Sequence, residues 1–407
     1  MRLHLLVTFA AWAAPAIATA QPLPPPPPSA PPDEGTPVEA APPPAVPPAE
    51  RPPETGAVQR PPPEPTISIA GFSWQPFGFL REEYVAVQND PNVAYVGRND
   101  GFAIQNARIG ARGQLGTRAT FVLSFDGAID QRTQLNVPQG TLGVGMRDSY
   151  LDVVLQGRIV ARGGYWQSWL DPEAQVPDTV RAFVDYPLES RGVRATEGYQ
   201  TPPLPPGRSM GAGIRLDPEV PESGARFGFE LAAQNGADEF SSQNDNDTLA
   251  LSAAGIVRFP HDGYLVIAGR WNPRTIGMLP FRQDETDLQA SIGARVVLGP
   301  VELAGGAIVQ QTSFDTTAGP TQNGYGAHGQ IMFRIPARLP LAVGYRFGVL
   351  DPSSLITTDQ VMEHTVGAVL GVPSLRVRVQ LQYVHPVEQA GRELSNDRVQ
   401  LAGEVVL

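Results

Sequence analysis

Leu375 to Tyr383 reads Leu-Arg-Val-Arg-Val-Gln-Leu-Gln-Tyr, an unbroken alternation of apolar and polar residues. Successive side chains of a strand point to opposite faces, so Leu375, Val377, Val379, Leu381 and Tyr383 share one side and Arg376, Arg378, Gln380 and Gln382 the other. The pattern recurs up to Leu407, on the length scale of a membrane-spanning β-strand. After Ala20 the chain has no apolar run long enough to span a bilayer as a helix. Only helices and closed barrels satisfy their backbone groups in lipid. Alternation without apolar helices therefore predicts an all-β fold, an antiparallel up-and-down transmembrane barrel.

The ends of the chain fit export to an outer membrane. Residues 1–20 read as a signal peptide: basic Met1-Arg2, an apolar Leu5–Ala18 core, and small residues in Ala18-Thr19-Ala20. Residues 21–65 contain 20 prolines and almost no large apolar side chains, which predicts a disordered periplasmic linker with polyproline II character. Extended, it reaches on the order of 140 Å at about 3.1 Å per residue, long enough to contact peptidoglycan. Residues 66–407 form the barrel domain. The sequence has no cysteine, which excludes a disulfide scaffold, and all 30 of its basic residues are arginine. A net charge of −11 argues against a nucleic-acid partner.

Sixteen strands are predicted, near 72–88, 102–113, 117–127, 144–155, 157–167, 208–217, 224–235, 246–259, 263–272, 285–299, 301–311, 324–335, 339–348, 362–371, 374–384 and 395–407. Tight Gly- and Pro-bearing turns such as Gln156-Gly157, Pro260-His261-Asp262 and Gly299-Pro300 alternate with longer loops. Short periplasmic turns and long external loops are what a transmembrane barrel predicts. Strand 285–299 shows the faces: Leu288, Ala290, Ile292, Ala294, Val296 and Leu298 outward, Asp287, Gln289, Ser291 and Arg295 inward.

Projecting the alternation inward gives candidate pore-lining residues: Arg108, Arg112, Asp148, Asp152, Arg158, Arg162, Arg295, Arg376 and Arg378. Such a lumen lowers the barrier for anions where the charges stay free, and merely braces the wall where arginines and acids pair. The longest connection, 168–207, carries Trp169, Phe183 and Tyr186, and its size and aromatic content favour folding into the barrel. Its constriction candidates are Arg181, Asp185, Glu189, Arg191 and Arg194, with its acids outnumbering its bases.

Three segments carry a family resemblance. Phe102–Leu115 resembles the second-strand signature of the phosphate-selective porin O/P family. Arg147–Trp169 is similar to its fourth and fifth strands, and Phe229–Gly236 to its seventh strand and following loop. The resemblance implies a sixteen-stranded, usually trimeric channel, with a third loop folded inward, that takes up anions or small solutes. The chain departs from that family in having no lysine and an acidic third loop, which weighs against phosphate specificity, and in ending on Leu407 rather than Phe.

The expected function is a water-filled pore for passive diffusion of small solutes, anionic ones included, with outer-membrane lipid around it. The alternative is a structural anchor whose Pro-rich tether grips the cell wall. An enzyme is not expected: His261, His328, His364 and His385 have no Ser or Asp at a catalytic spacing. No cofactor or metal site is expected.

Overall fold

The computed structural model describes residues 67–407 apart from 70, 98–99, 131–141, 237–242, 278–281, 316–320, 337–339 and 390–392. The signal-peptide and linker segments lie outside the described residues. Among the described residues no helix is long and apolar enough to cross a membrane.

The chain crosses the wall sixteen times. A short β1 (Ile67–Ile69) precedes β2 (Phe72–Val87), β3 (Gly101–Leu115), β4 (Ala119–Asp130), β5 (Leu142–Gln156) and β6 (Ile159–Trp166). Then come β7 (Ser209–Leu216), β8 (Arg226–Asn235), β9 (Leu249–Phe259), β10 (Gly263–Ile276), β11 (Gln283–Leu298) and β12 (Val301–Phe314). The last five are β13 (Gln322–Ile335), β14 (Leu341–Asp351), β15 (Val361–Val372), β16 (Val377–Glu388) and β17 (Arg398–Val406). Each strand from β2 onward pairs antiparallel with the next, and β17 returns to β2 from Arg398↔Val87 to Val406↔Phe79. The sheet is thus a closed sixteen-stranded barrel, as the alternation predicts. Closure leaves no unpaired edge, which an apolar medium would penalise. β1 is an addition, folded back on β2 through Gly71 with Ile67 opposite Trp74.

Outward positions are apolar. On β11 Leu288, Ile292, Val296 and Leu298 are exposed, while Asp287, Gln289 and Ser291 are buried inside. Water cannot reach the outer band of such a barrel, so its large exposed hydrophobics are at home in lipid. The turn between β9 and β10 is tight: only Pro260, His261 and Asp262 separate the paired Phe259 and Gly263, and His261 and Asp262 both have left-handed backbones (φ 60° and 61°).

Several boundaries differ from the pattern reading. β10 runs on to Ile276 and β11 starts at Gln283, so the loop expected over 273–284 is shorter; Pro273 continues the ladder opposite Thr286. The strand expected over 374–384 starts at Val377. Pro373–Leu375 is a single 3₁₀ turn, and Arg376 caps it in the left-handed region (φ 52°). Proline at the start of that turn lacks a ladder donor, so the alternation of Leu375 and Arg376 continues in sequence but not in the sheet. Arg376 therefore sits in a turn rather than on an interior strand face. Arg158 does too, in the Gly157-Arg158 turn between β5 and β6.

Candidate constriction and vestibule

β6 and β7 have only eight residues each, so the chain between them leaves and rejoins the wall well inside the barrel. Residues 167–208 then carry too much apolar surface to remain in water. Leu170, Leu188, Val193 and Leu204 pack with Ala268, Ile308 and Leu350 of the wall, and Trp169 packs with Ile256, Tyr264 and Val266. These wall residues point inward, so strands β9, β10, β12 and β14 are apolar on both faces here. Tyr264-Leu265-Val266-Ile267-Ala268 is the sequence trace of that, a run without alternation of the kind a doubly buried strand shows.

The loop is built from short turns. Asp171 caps a 3₁₀ turn at Pro172–Gln175, a second spans Asp178–Val180, and a one-turn helix α1 (Leu188–Arg191) ends at Gly192, whose φ is 69°. Interior glycines make room for it. A Cβ at Gly367 would stand 3.1 Å from two ring carbons of Phe183, and one at Gly348 would stand 3.4 Å from the Leu188 Cβ. At Gly326 a Cβ would collide with Glu189.

Polar contacts then tie the loop's backbone to the wall. The Val184 N–H donates to Gln382 Oε1 (3.0 Å), and Gln380 Nε2 donates to the carbonyls of Arg181 and Ala182 (3.0 and 3.1 Å). Arg346 donates to the Asp185 carbonyl (3.0 Å), and Gln289 to that of Leu204 (2.7 Å). Such pairing is required of a loop buried away from water.

The charged residues of the loop are used in the same way. Asp185 accepts from Arg194 (3.0 Å) and Gln400 (2.7 Å). Arg191 pairs with Glu197 (2.6 Å) and with Glu363 of β15, which also binds Arg398 (2.8 Å). Asp178 takes Arg108 of β3 (2.7 Å), Arg181 and the Tyr186 hydroxyl (2.6 Å). Burial opposes ionisation of Asp178, but the guanidinium groups of Arg181 and Arg108 outweigh it and hold its carboxyl well below the usual range. Asp185 is held low despite burial by Arg194, Arg191 and Arg398. Glu189 contacts His328 on β13.

A cavity of about 450 Å³ remains beside the loop, between its Trp169, Glu173, Asp178 and Tyr186 and the wall strands β2, β3, β5, β6 and β7. Six arginines line it: Arg108, Arg112, Arg162, Arg208, Arg215 and Arg258, with Asp148, Glu173, Asp178 and Asp217. Val406 and Leu407 also line it, so it opens toward the rim where β17 ends. Several arginines sit over rings: the Arg162 guanidinium carbon is 3.5 Å from the Tyr150 centroid, that of Arg215 4.7 Å from Trp169, that of Arg112 5.8 Å from Phe77. Stacking of this kind restrains a long side chain while leaving it charged.

The wall residues singled out from the pattern fall into three groups. Arg108, Arg112, Asp148 and Arg162 meet in this cavity. Asp152 braces Arg162 through two hydrogen bonds (2.7 and 2.6 Å), Arg295 pairs with Glu302 (2.9 Å), and Arg378 holds Glu404 (3.0 Å) and the Arg181 carbonyl (2.8 Å). Arg158 and Arg376 are off the strand faces; Arg158 is exposed and reaches the Asp217 carbonyl at 3.1 Å.

Comparison with solved structures places this architecture. An anion-selective porin from Comamonas acidovorans superposes with a TM-score of 0.57 at 13% identity, covering 83% of this chain and 100% of that one. The outer membrane channel DcaP of Acinetobacter baumannii gives 0.56 at 14% identity, over 84% of this chain and 99% of that one. The trimer form of OmpT, an outer membrane protein of Vibrio cholerae, gives 0.52 at 12% identity, over 83% and 100%. The fold is that of the outer-membrane porins. No family model and no curated protein matches the sequence.

Within this barrel, the alternation pattern did not single out Arg208, which binds Asp148 (3.0 Å), or Arg81, which is wholly buried and reaches the Asp178 carbonyl (2.6 Å). Arg81 stands on the inward side of the alternation Phe79-Leu80-Arg81-Glu82-Glu83, so its position was readable. Arg208 precedes β7, and nothing local marks its partner sixty residues earlier.

Proposed function

We propose that the chain is an outer-membrane porin through which small solutes, anions among them, diffuse passively. The observation that carries this reading is the charged cavity that remains beside residues 167–208. Lined by the loop and by β2, β3, β5 to β7 and Arg258 of β9, it holds six arginines against four carboxylates. Arginine excess against a low-dielectric wall raises the local concentration of anions. The Arg108–Asp178 and Arg208–Asp148 pairs reduce that excess, so the preference is for anions in general rather than for phosphate.

The resemblance to the phosphate-selective porin O/P family, and the trimer form of the Vibrio cholerae protein of similar fold, support a homotrimer in a Gram-negative outer membrane. A Pro-rich linker over 21–65 then extends into the periplasm. Planar-bilayer recording of the refolded full chain tests the reading. Ohmic conductance is expected, with a reversal potential displaced toward that of the anion in a salt gradient. Folded protein without conductance refutes it.

A further inference from the structure

Three carboxylates and one imidazole meet where the start of the loop touches the wall. His328 Nδ1 contacts Glu189, and its Nε2 lies 3.4 Å from Glu173 Oε1. Asp171 is beside them, accepting from the Glu173 N–H (2.9 Å), Ser190 Oγ (2.9 Å) and Gln167 Nε2 (3.0 Å). None of the four is more than 7% exposed. The second oxygen of Glu189 is buried and meets no donor.

The charge does not balance locally. Even with His328 cationic the four side chains carry two net negative charges. The two cations that face Glu173 are shared with other acids: Arg181 also pairs with Asp178, and Arg346 also donates to the Asp185 carbonyl and lies 3.7 Å from Glu363. Tyr264 of β10 is the remaining titratable neighbour, close enough to feel both Glu173 and Asp171. Burying uncompensated carboxylates costs several kcal/mol per ion, and retaining a proton is the least costly escape.

We infer that this cluster is a proton-loaded latch, holding residues 167–208 against the wall while it keeps its proton and loosening the loop when that proton leaves. The inference rests on the porin reading, because the loop it regulates is the proposed constriction. Asp171 is the natural carrier. Burial first, and then the neighbouring Glu173 and Glu189, push its carboxyl up to about 6 against the hydrogen bonds from the Glu173 N–H and Ser190 that favour the ion. The docked state thus binds more protons than the undocked one between the ordinary value of 3.8 and about 6. Docking is strongest below that window, weakens as pH rises through it, and stays weakened above it. Asp178 and Asp185, further along the loop, act in the opposite sense, since they must be ionised to hold their arginines.

The chain has no native cysteine, so one thiol can report on the loop. Leu188→Cys places it on α1, where the side chain is 1% exposed. Its labelling by a membrane-impermeant maleimide is followed from pH 4 to pH 8, alone and combined with Asp171→Asn, which mimics the protonated acid. The ratio of the two rates cancels the thiol's own titration. It is expected to be near one at pH 4 and to rise tens- to about a hundredfold by pH 8, the change such a displaced carboxyl implies. A ratio independent of pH overturns the inference.

Should Asp171→Asn fail to assemble, Ser190→Ala in the Leu188→Cys protein serves instead. Losing that donor moves the midpoint of the rate profile to higher pH, and an unmoved midpoint counts against the latch. Labelling needs no ion flow, so an absence of conductance in the same preparation refutes the channel and leaves the latch to be judged by the rates.

Discussion

Replacing Phe183 with alanine probes how the loop is held. The ring is 1% exposed, fits the socket left by Gly367 on β15, and lies under the Arg346 guanidinium at 4.7 Å. Truncating a buried phenylalanine costs about 3–5 kcal/mol, and loss of the stacked cation adds about 0.5–2 kcal/mol. Because the ring bridges loop and wall, the loss falls on docking of the loop, while the β-ladder that closes the barrel is untouched. Taking about 3 kcal/mol, the undocked population rises by about a hundredfold, at roughly 1.4 kcal/mol per tenfold. Single-channel recording is the assay: Phe183→Ala is expected to show greater open-channel noise and a larger mean conductance, with the barrel's resistance to heat in detergent retained. Unchanged conductance and noise in a folded variant would refute the claim that this packing holds the constriction.

Other expectations follow from the same geometry. Arg108→Ala and Arg162→Ala should each move the reversal potential away from that of the anion; unchanged potentials would remove both side chains from the pathway. Gly326→Val should undock α1, since even a Cβ there collides with Glu189, and the variant should conduct more noisily than wild type. Strong acid should loosen the loop at Asp178 and Asp185: their carboxyls are depressed, so their contribution is present above the ordinary 3.8 and is lost as pH falls toward their folded values. Maleimide labelling of Val184→Cys, a position 0% exposed, should therefore be faster at pH 3 than the thiol's own titration allows, and a rate that only falls with pH would count against this. Asp152→Ala should free Arg162 from its bidentate brace and broaden the current distribution, which noise analysis would register.

Much of the wall was legible because strand alternation is a local signal. Inward Asp287 and outward Leu288 differ by one residue, and lipid on one side makes that register compulsory. The same locality misled at Leu375-Arg376, where the alternation runs past the point at which Pro373 prevents pairing. Nor does period two report on both-face burial, which is why Tyr264, Val266 and Ala268 were not foreseen as the bed of the loop.

The sequence by itself determined the closed barrel, its sixteen crossings, the outward faces and the single long connection, since each depends on neighbours a few residues apart. Only the tertiary structure decided what the charges do. Arg108 meets Asp178, Arg191 meets Glu363, and Glu189 meets His328 across separations that no pattern encodes. A buried ion's character comes from its partners and its distance from water, and both appear only when the loop has folded against the wall. Which arginines line the remaining cavity was decided there.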